Sequence, residues 1–314
     1  MRTLQSLFSE DAVQAETQQA SRPFFSGFRA FAGAWPDSTL LAFGVLFVFI
    51  LLLYWPVFVG LAGQWWSDPN WSHGFLVPVF SAFVLWRERR RWRKAIGAGS
   101  VAGLAGVALA ILLLFAGRLG AELFTTRFSF ILLLASLAVY FGGCSLVRAV
   151  RFPLAYLLLM IPWPGVIYAQ VTLPLEFLAS RWAAWGLGAA GIPVLREGNL
   201  LVLANYTIEV ARACSGIRSL VSLLTIAIAY GYLAERRLPV RAVLAAAMVP
   251  IAVLSNAFRI FGAGVLTAEI SPRLARGFFH EFSGWLIFVT ATLLLVALHG
   301  VMRKLAPARE ANGA

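Results

Sequence analysis

Cysteine is nearly absent from this chain: Cys144 and Cys214 are the only two in 314 residues. They cannot build a disulfide framework, and they show no metal-ligand spacing. Charge is also scarce, with 13% Asp, Glu, Lys and Arg. The net charge of +12 is carried by short basic clusters between apolar runs. A soluble nucleic-acid-binding domain needs a contiguous basic surface instead, so nucleic acid is excluded as a partner. Internal repeats, low-complexity linkers and cofactor motifs are missing, and the chemistry considered below needs no cofactor. There is no matched pair of broken apolar segments in two halves, which weighs against a transporter. What abounds is apolar residue. The chain is 60% hydrophobic with a mean hydropathy of +0.80, the composition of a polytopic membrane protein.

Runs near the ~20 residues needed to cross a bilayer predict an all-α polytopic membrane protein of about eight transmembrane helices. They lie at 40–62, 72–86, 98–117, 128–147, 152–171, 215–234, 241–267 and 285–302. Trp71 and Trp86 bound the short second run as interfacial anchors. The fifth is interrupted by Pro162-Trp163-Pro164-Gly165, a break tolerated inside the protein or along a cavity. Residues 1–38 read as a poorly ordered cytoplasmic tail with a short interfacial stretch at Phe24–Trp35. Residues 39–304 form one membrane domain, and 305–314 a second cytoplasmic tail. The first apolar run starts too late and is too long for a signal peptide. Cys144, inside the fourth run, is expected in the core.

Placing the N-terminus inside puts 17 of the 26 Lys and Arg residues in cytoplasmic segments, including Arg87–Lys94, Arg148, Arg151, Arg236, Arg237 and Arg241. The positive-inside rule therefore selects N-in and C-in. The segment 172–213 is too mixed for a plain span. Thr172–Ala190 reads as an amphipathic helix at the outer interface. Residues 192–211 alternate in polarity, and Gly198-Asn199 marks a turn between Val194–Arg196 and Leu200–Ala204. A small extracytoplasmic helix and strand pair are thus expected before the sixth span.

Ionisable residues inside or beside spans are expensive and point to function. Cys214 stands in Ala-Arg-Ala-Cys-Ser-Gly-Ile-Arg, where a polar segment meets the sixth apolar run. A thiol at a helix N-terminus beside Arg212 and Arg218 is biased toward thiolate, a usable nucleophile. A small buried hydrophobe is the ordinary alternative for a free cysteine. Arg259, in Ser-Asn-Ala-Phe-Arg-Ile, falls below the outer end of the seventh span, with Asn256 one turn away. Snorkelling to outer headgroups is its alternative role. His280 precedes the eighth span in Phe-His-Glu-Phe-Ser-Gly-Trp. The orientation brings all three to the outer face. His73 lies on the same side and competes for the histidine role, whereas His299 belongs near the inner face. Arg212, Arg218, Asn256 and His73 are the candidates for holding substrate, and the two arginines equally suit interface anchors.

These segments resemble the exosortase and archaeosortase family, polytopic membrane proteins proposed to act as cysteine transpeptidases. The likeness runs through Ser72–Pro78, Ile161–Pro164, Arg196–Asn199, the Cys214 segment, Asn256–Ile260, and His280 with Gly284, in consistent order over about 40–302. It implies a catalytic set of Cys214, Arg259 and His280. It also implies a location in the bacterial cytoplasmic membrane with the site on the extracytoplasmic side. The implied partners are exported proteins carrying a C-terminal sorting signal: a PEP-CTERM-like motif, a transmembrane helix and a basic tail. Membrane lipids surround such a protein, and exopolysaccharide machinery is an associated partner of the family. Two other classes stay open from the residues alone. One is a non-enzymatic component of polysaccharide export, for which Cys214 would be dispensable. The other is a membrane acyltransferase carrying a lipid acyl group on Cys214.

Overall fold

The computed structural model describes residues 37–204, 206–210, 216–270 and 278–305, with the backbone alone at 37–40, 216–219, 278–283, 287 and 305. The N-terminal tail with its Phe24–Trp35 stretch, the C-terminal tail, Arg212 and Cys214 fall outside the described residues. Helices dominate because long apolar runs satisfy their own backbone bonds only in that conformation. In chain order they are α1 (Asp37–Ser67), a 3-10 turn (Ser72–Phe75), α2 (Leu76–Arg87), α3 (Arg89–Lys94), α4 (Ala102–Leu119) and α5 (Leu123–Tyr156). A second 3-10 turn (Leu157–Met160) leads to α6 (Gly165–Ala189). Three strands follow, β1 (Val194–Glu197), β2 (Leu200–Leu203) and β3 (Tyr206–Glu209). The last helices are α7 (Gly216–Ala234), α8 (Leu238–Glu269) and α9 (Phe278–Leu305).

Among the described residues, five segments are long and apolar enough to cross a membrane: Leu41–Ser67, Ala102–Leu119, Leu123–Met160, Leu238–Glu269 and Gly284–Lys304. The other three expected spans are not among them. α2 has 12 residues, about 18 Å at the helical rise. α7 runs Gly216–Ala234, 19 residues, of which Leu220–Ala234 is a shorter apolar helix. The expected span at 152–171 is divided among the end of α5, the second 3-10 turn and the start of α6. The chain divides into two units at Phe58–Val59, within α1. In the first, Leu41, Val45 and Phe47 of α1 are exposed. The second unit contains everything described below.

Two boundaries differ from the sequence expectation. α5 does not end in a loop near Arg148 and Arg151. It runs on to Tyr156 and bends at Gly143, whose φ of 71° and ψ of −179° break the helical path. That left-handed φ suits glycine, which has no Cβ to clash. The bend leaves Cys144 exposed rather than in the core, because an apolar run on a membrane helix also covers its outer surface. The amphipathic helix expected at Thr172–Ala190 is not separate either. It is the continuation of α6, which starts at Gly165, directly after the Ile161–Pro164 break.

The expected strand pair is present with its turn at Gly198-Asn199: β1 and β2 pair antiparallel, Glu197 opposite Leu200. A third strand extends it into a meander, with Leu203 opposite Tyr206. One face of this sheet is apolar. Leu201, Leu203 and Ile208 pack with Ala179, Ala183 and Leu187 of α6 and with Ala257 and Ile260 of α8. A second core joins α7 (Leu220, Leu223, Ala227), α8 (Leu244, Met248, Ala252) and α9 (Ala291, Leu295). Burying a leucine-sized side chain contributes about 1.5–3 kcal/mol relative to water, but lipid is apolar too. Close packing and polar ties therefore decide which helices pair.

Those ties distinguish the two ends of the second unit. At one end Tyr232 Oη donates to Glu88 Oε1 at 2.6 Å, Phe152 stacks on Tyr232 at 3.5 Å, and Arg241 lies over the same ring. There Glu235 accepts from the backbone N–H groups of Arg236 and Arg237. His299 is 3% exposed, with Nδ1 2.8 Å from Tyr230 Oη and Nε2 3.5 Å from Glu235. This is the arginine-rich end. At the other end Trp65 Nε1 donates to the Met160 carbonyl at 3.0 Å, and Trp71 faces Trp163 and Tyr168. Tryptophan, not arginine, marks it.

Candidate functional site

α7, α8 and α9 are successive antiparallel neighbours, so residues distant in sequence meet at the tryptophan-marked end. Leu220, one turn into α7, faces Ala252, Val253 and Asn256 of α8. Thr172 and Glu176 of α6 complete this ring around a cavity of about 10 Å³, at the lower limit for one water molecule. Asn256 is 6% exposed and Glu176 7%. Two helices, α6 and α8, thus place buried polar groups at the level where α7 begins.

One turn further along α8 stands Arg259, half-buried. It lies ten residues before the helix ends at Glu269, about 15 Å by the helical rise. Its guanidinium lies against Gly284 of α9. A Cβ at that glycine would sit 3.6 Å from Arg259 Nη2 and 3.7 Å from Cζ. His280 precedes Gly284 by four residues on the same helix, and residues at that spacing share one face. Arg259 and the His280 position are therefore about one helical turn apart, across the α8–α9 contact. This is the part of the sequence-predicted set that the structure brings together.

The other candidates are placed as follows. Arg218 lies in the first turn of α7, described by its backbone. Cys214 and Arg212, outside the described residues, belong to the segment between Val210, fully buried behind the sheet, and Gly216, the first residue of α7. His73 is 8% exposed in its 3-10 turn. Its Nε2 is 3.3 Å from the Leu159 carbonyl and its Nδ1 3.3 Å from Ser222 Oγ of α7. Both of its ring nitrogens are engaged by the scaffold, six residues along α7 from Gly216.

Glu176 is the residue that sequence reasoning missed. It sits on the face of α6 that also buries Thr172, Ala179, Ser180 and Ala183. Its carboxyl is hydrogen-bonded by Asn199 and lies near Glu209. Asn199 arrives because the β1–β2 turn docks on α6: Ser180 Oγ donates to the Gly198 carbonyl at 3.1 Å. Gly198 has φ 65°, as the turn requires. The signal that could have found Glu176 is the Thr172–Glu176–Ala179–Ala183 stripe of small or polar residues at helical spacing. Among the described residues no group of three or more His, Cys, Asp and Glu could hold a metal.

Buried polar groups, a guanidinium and a histidine position, gathered where α7 and α9 begin and α8 ends, suit stabilisation of negative charge and proton transfer. Comparison with curated proteins and with solved structures gives no match. A family model described as transmembrane exosortase matches residues 65–297, a stretch that includes the Cys214 segment, Arg259, Gly284 and His280. With most of its length matched in this way, the chain belongs to the transmembrane exosortase family.

Proposed function

We propose that this protein is a membrane-embedded cysteine peptidase or transpeptidase that cleaves a C-terminal sorting signal from exported proteins. The signal has a PEP-CTERM-like motif, a transmembrane helix and a basic tail. The observation that carries this reading is the contact of Arg259 with Gly284, one turn from His280, at the level where α7 begins two residues after Cys214. The eight-helix, N-in and C-in reading puts the arginine-rich end in the cytoplasm, the shorter α2 and α7 spanning with the turns beside them. The site then faces outward.

In this mechanism the Cys214 thiolate attacks the scissile carbonyl, forming a C–S bond and a tetrahedral oxyanion. Arg259 stabilises the negative charge, first on sulfur and then on oxygen, in a site of low dielectric. The intermediate collapses as the C–N bond breaks, and His280 delivers a proton to the leaving amine. A thioester to Cys214 remains. An incoming amine, deprotonated by His280, releases the product by transpeptidation, and water releases it by hydrolysis. The substrate's helix lies beside the α6–α9 group, and its basic tail stays in the cytoplasm.

Processing of a tagged substrate in membranes tests this. Wild type converts it to a shorter form, while Cys214→Ala inserts normally and leaves it intact. Conversion by Cys214→Ala at the wild-type rate would refute the nucleophile.

A further inference from the structure

Positive charge at the arginine-rich end exceeds the negative charge beside it. α3 reads Arg89-Arg90-Arg91-Trp92-Arg93-Lys94, and Arg87 ends α2 just before it. The side chains of Arg87, Arg89, Arg90, Arg91, Arg93 and Lys94 are all exposed. Glu88 is the one carboxylate within this run, and it is already engaged. It accepts from Tyr232 Oη at 2.6 Å and pairs with Arg91 at 3.2 Å. Arg89 and Arg93, like Arg90 and Lys94, stand four apart on the helix, a spacing at which like charges repel. The positive-inside rule accounts for the number of these cations. It leaves their arrangement unexplained.

That arrangement is a fixed platform. Trp92 turns back toward α2, its Nε1 donating to the Leu85 carbonyl at 2.8 Å. Beyond α3, the N–H groups of Gly97 and Ser100 donate to the Gly142 and Val139 carbonyls of α5 at 3.1 Å each. A Cβ at Gly143 would sit 2.6 Å from the Ala98 carbonyl oxygen, so the bend in α5 also receives this connection. The platform has an apolar margin as well. Phe83 is 39% exposed, Trp86 50% and Ile96 49%. The Arg89 guanidinium lies over the Trp86 ring, 4.9 Å from its centroid. A basic cluster bordered by exposed aromatic and apolar side chains, next to membrane-crossing helices, belongs at the level where hydrocarbon meets headgroups. The anion that matches both parts carries apolar chains of its own.

We propose that α3 and the adjoining end of α2 form a docking surface for anionic phospholipid. Arg89, Arg90 and Lys94 receive the negatively charged headgroup, and Trp86 and Ile96 lie along the acyl chains. The Tyr232–Glu88 bond fastens this surface to α7. It stands at the opposite end of the helices from Arg259 and is independent of the peptidase reading.

The test is native mass spectrometry of the full chain released from detergent, with phosphatidylglycerol or phosphatidylcholine of identical acyl chains added. One basic residue near an anionic lipid surface is worth about fivefold in affinity. With three such residues, wild type should hold phosphatidylglycerol about 10²-fold more tightly than phosphatidylcholine. Arg90→Gln combined with Lys94→Gln should lower this preference about 25-fold. If that double variant fails to give a monodisperse protein, Arg90→Gln alone should lower it about fivefold. Arg90→Lys should keep it, because headgroup attraction needs the charge rather than the planar fork. Arg181→Gln, also exposed but on α6, should keep it too, which separates the patch from net charge. Equal binding of the two lipids by wild type would overturn the docking surface. So would an undiminished preference in the Gln variants, or a loss in Arg181→Gln as large as in Arg90→Gln. Glycerophosphoglycerol, the headgroup without chains, should compete poorly. Competition as strong as that of the intact lipid would assign the patch to a soluble anion and overturn the lipid. These measurements use no sorting-signal substrate, so their failure leaves the peptidase reading standing.

Discussion

Gly284 offers a graded test of where Arg259 stands. A methyl group at this position would sit 3.6 Å from Nη2 and 3.7 Å from Cζ of Arg259, ordinary van der Waals contact. Gly284→Ala should therefore leave the guanidinium in place. It should also stabilise α9 by up to about 1 kcal/mol, the helix-propensity gap between the two residues. Gly284→Leu is different. Its Cγ extends about 1.5 Å beyond Cβ, the length of one C–C bond, and overlaps the guanidinium unless Arg259 moves by about that distance. A displacement near 1 Å costs about 10²-fold in rate when the displaced group stabilises a transition state. The assay is the initial rate of substrate processing in membranes, normalised to inserted protein, with thermal stability in detergent measured alongside. Expected are a near-wild-type rate for Gly284→Ala and a loss of about 10²-fold for Gly284→Leu, both with folded protein. A wild-type rate for Gly284→Leu would show that Arg259 does not act from this position.

Four other outcomes follow from the geometry. Arg259→Lys keeps the charge but not the planar fork, so processing should fall by about 10²–10³-fold, as for loss of an oxyanion donor; full turnover would make the arginine structural. His280→Ala should lower the rate by about 10²–10⁴-fold. His73→Ala should mainly lower thermal stability, because its ring ties Leu159 and Ser222 together; parallel rate and melting measurements on both variants separate the roles. Glu235, between α7 and α8, is held at a pKa of about 2, chiefly by the hydrogen bond from the Arg237 backbone N–H. A carboxylate held below its usual value of 4.5 stabilises the fold fully above pH 4.5 and loses this contribution as pH falls toward 2. Melting temperature against pH should thus drop less steeply over that window for Glu235→Gln than for wild type.

Much of this fold is legible in the sequence because bilayer thickness imposes a single length on apolar runs. The Pro162–Gly165 break and the Gly198-Asn199 turn were readable because proline and glycine act locally. The Gly143 bend was not, since Arg148 and Arg151 mimic a loop while the helix runs on past them. The third strand was hidden because Tyr206–Glu209 is four residues long and adjoins the Cys214 segment without a turn signal. In the candidate site, Arg259 and His280 could be assigned to one side by counting charges. Their approach through Gly284 depends on the antiparallel α8–α9 packing, which no single segment encodes. Glu176 escaped notice for a related reason. Its burial comes from neighbouring helices, while its own stretch looks like ordinary amphipathic sequence.

The central claim is that Cys214 becomes covalently acylated, and intact-protein mass spectrometry addresses it directly. Enzyme purified after brief exposure to a sorting-signal substrate should carry an added mass equal to the substrate fragment upstream of the cleavage site. Hydroxylamine should remove it, and it should be absent from Cys214→Ala while Cys144→Ala retains it. Shortened substrate with no adduct on Cys214, or an adduct that survives in Cys214→Ala, would contradict the account.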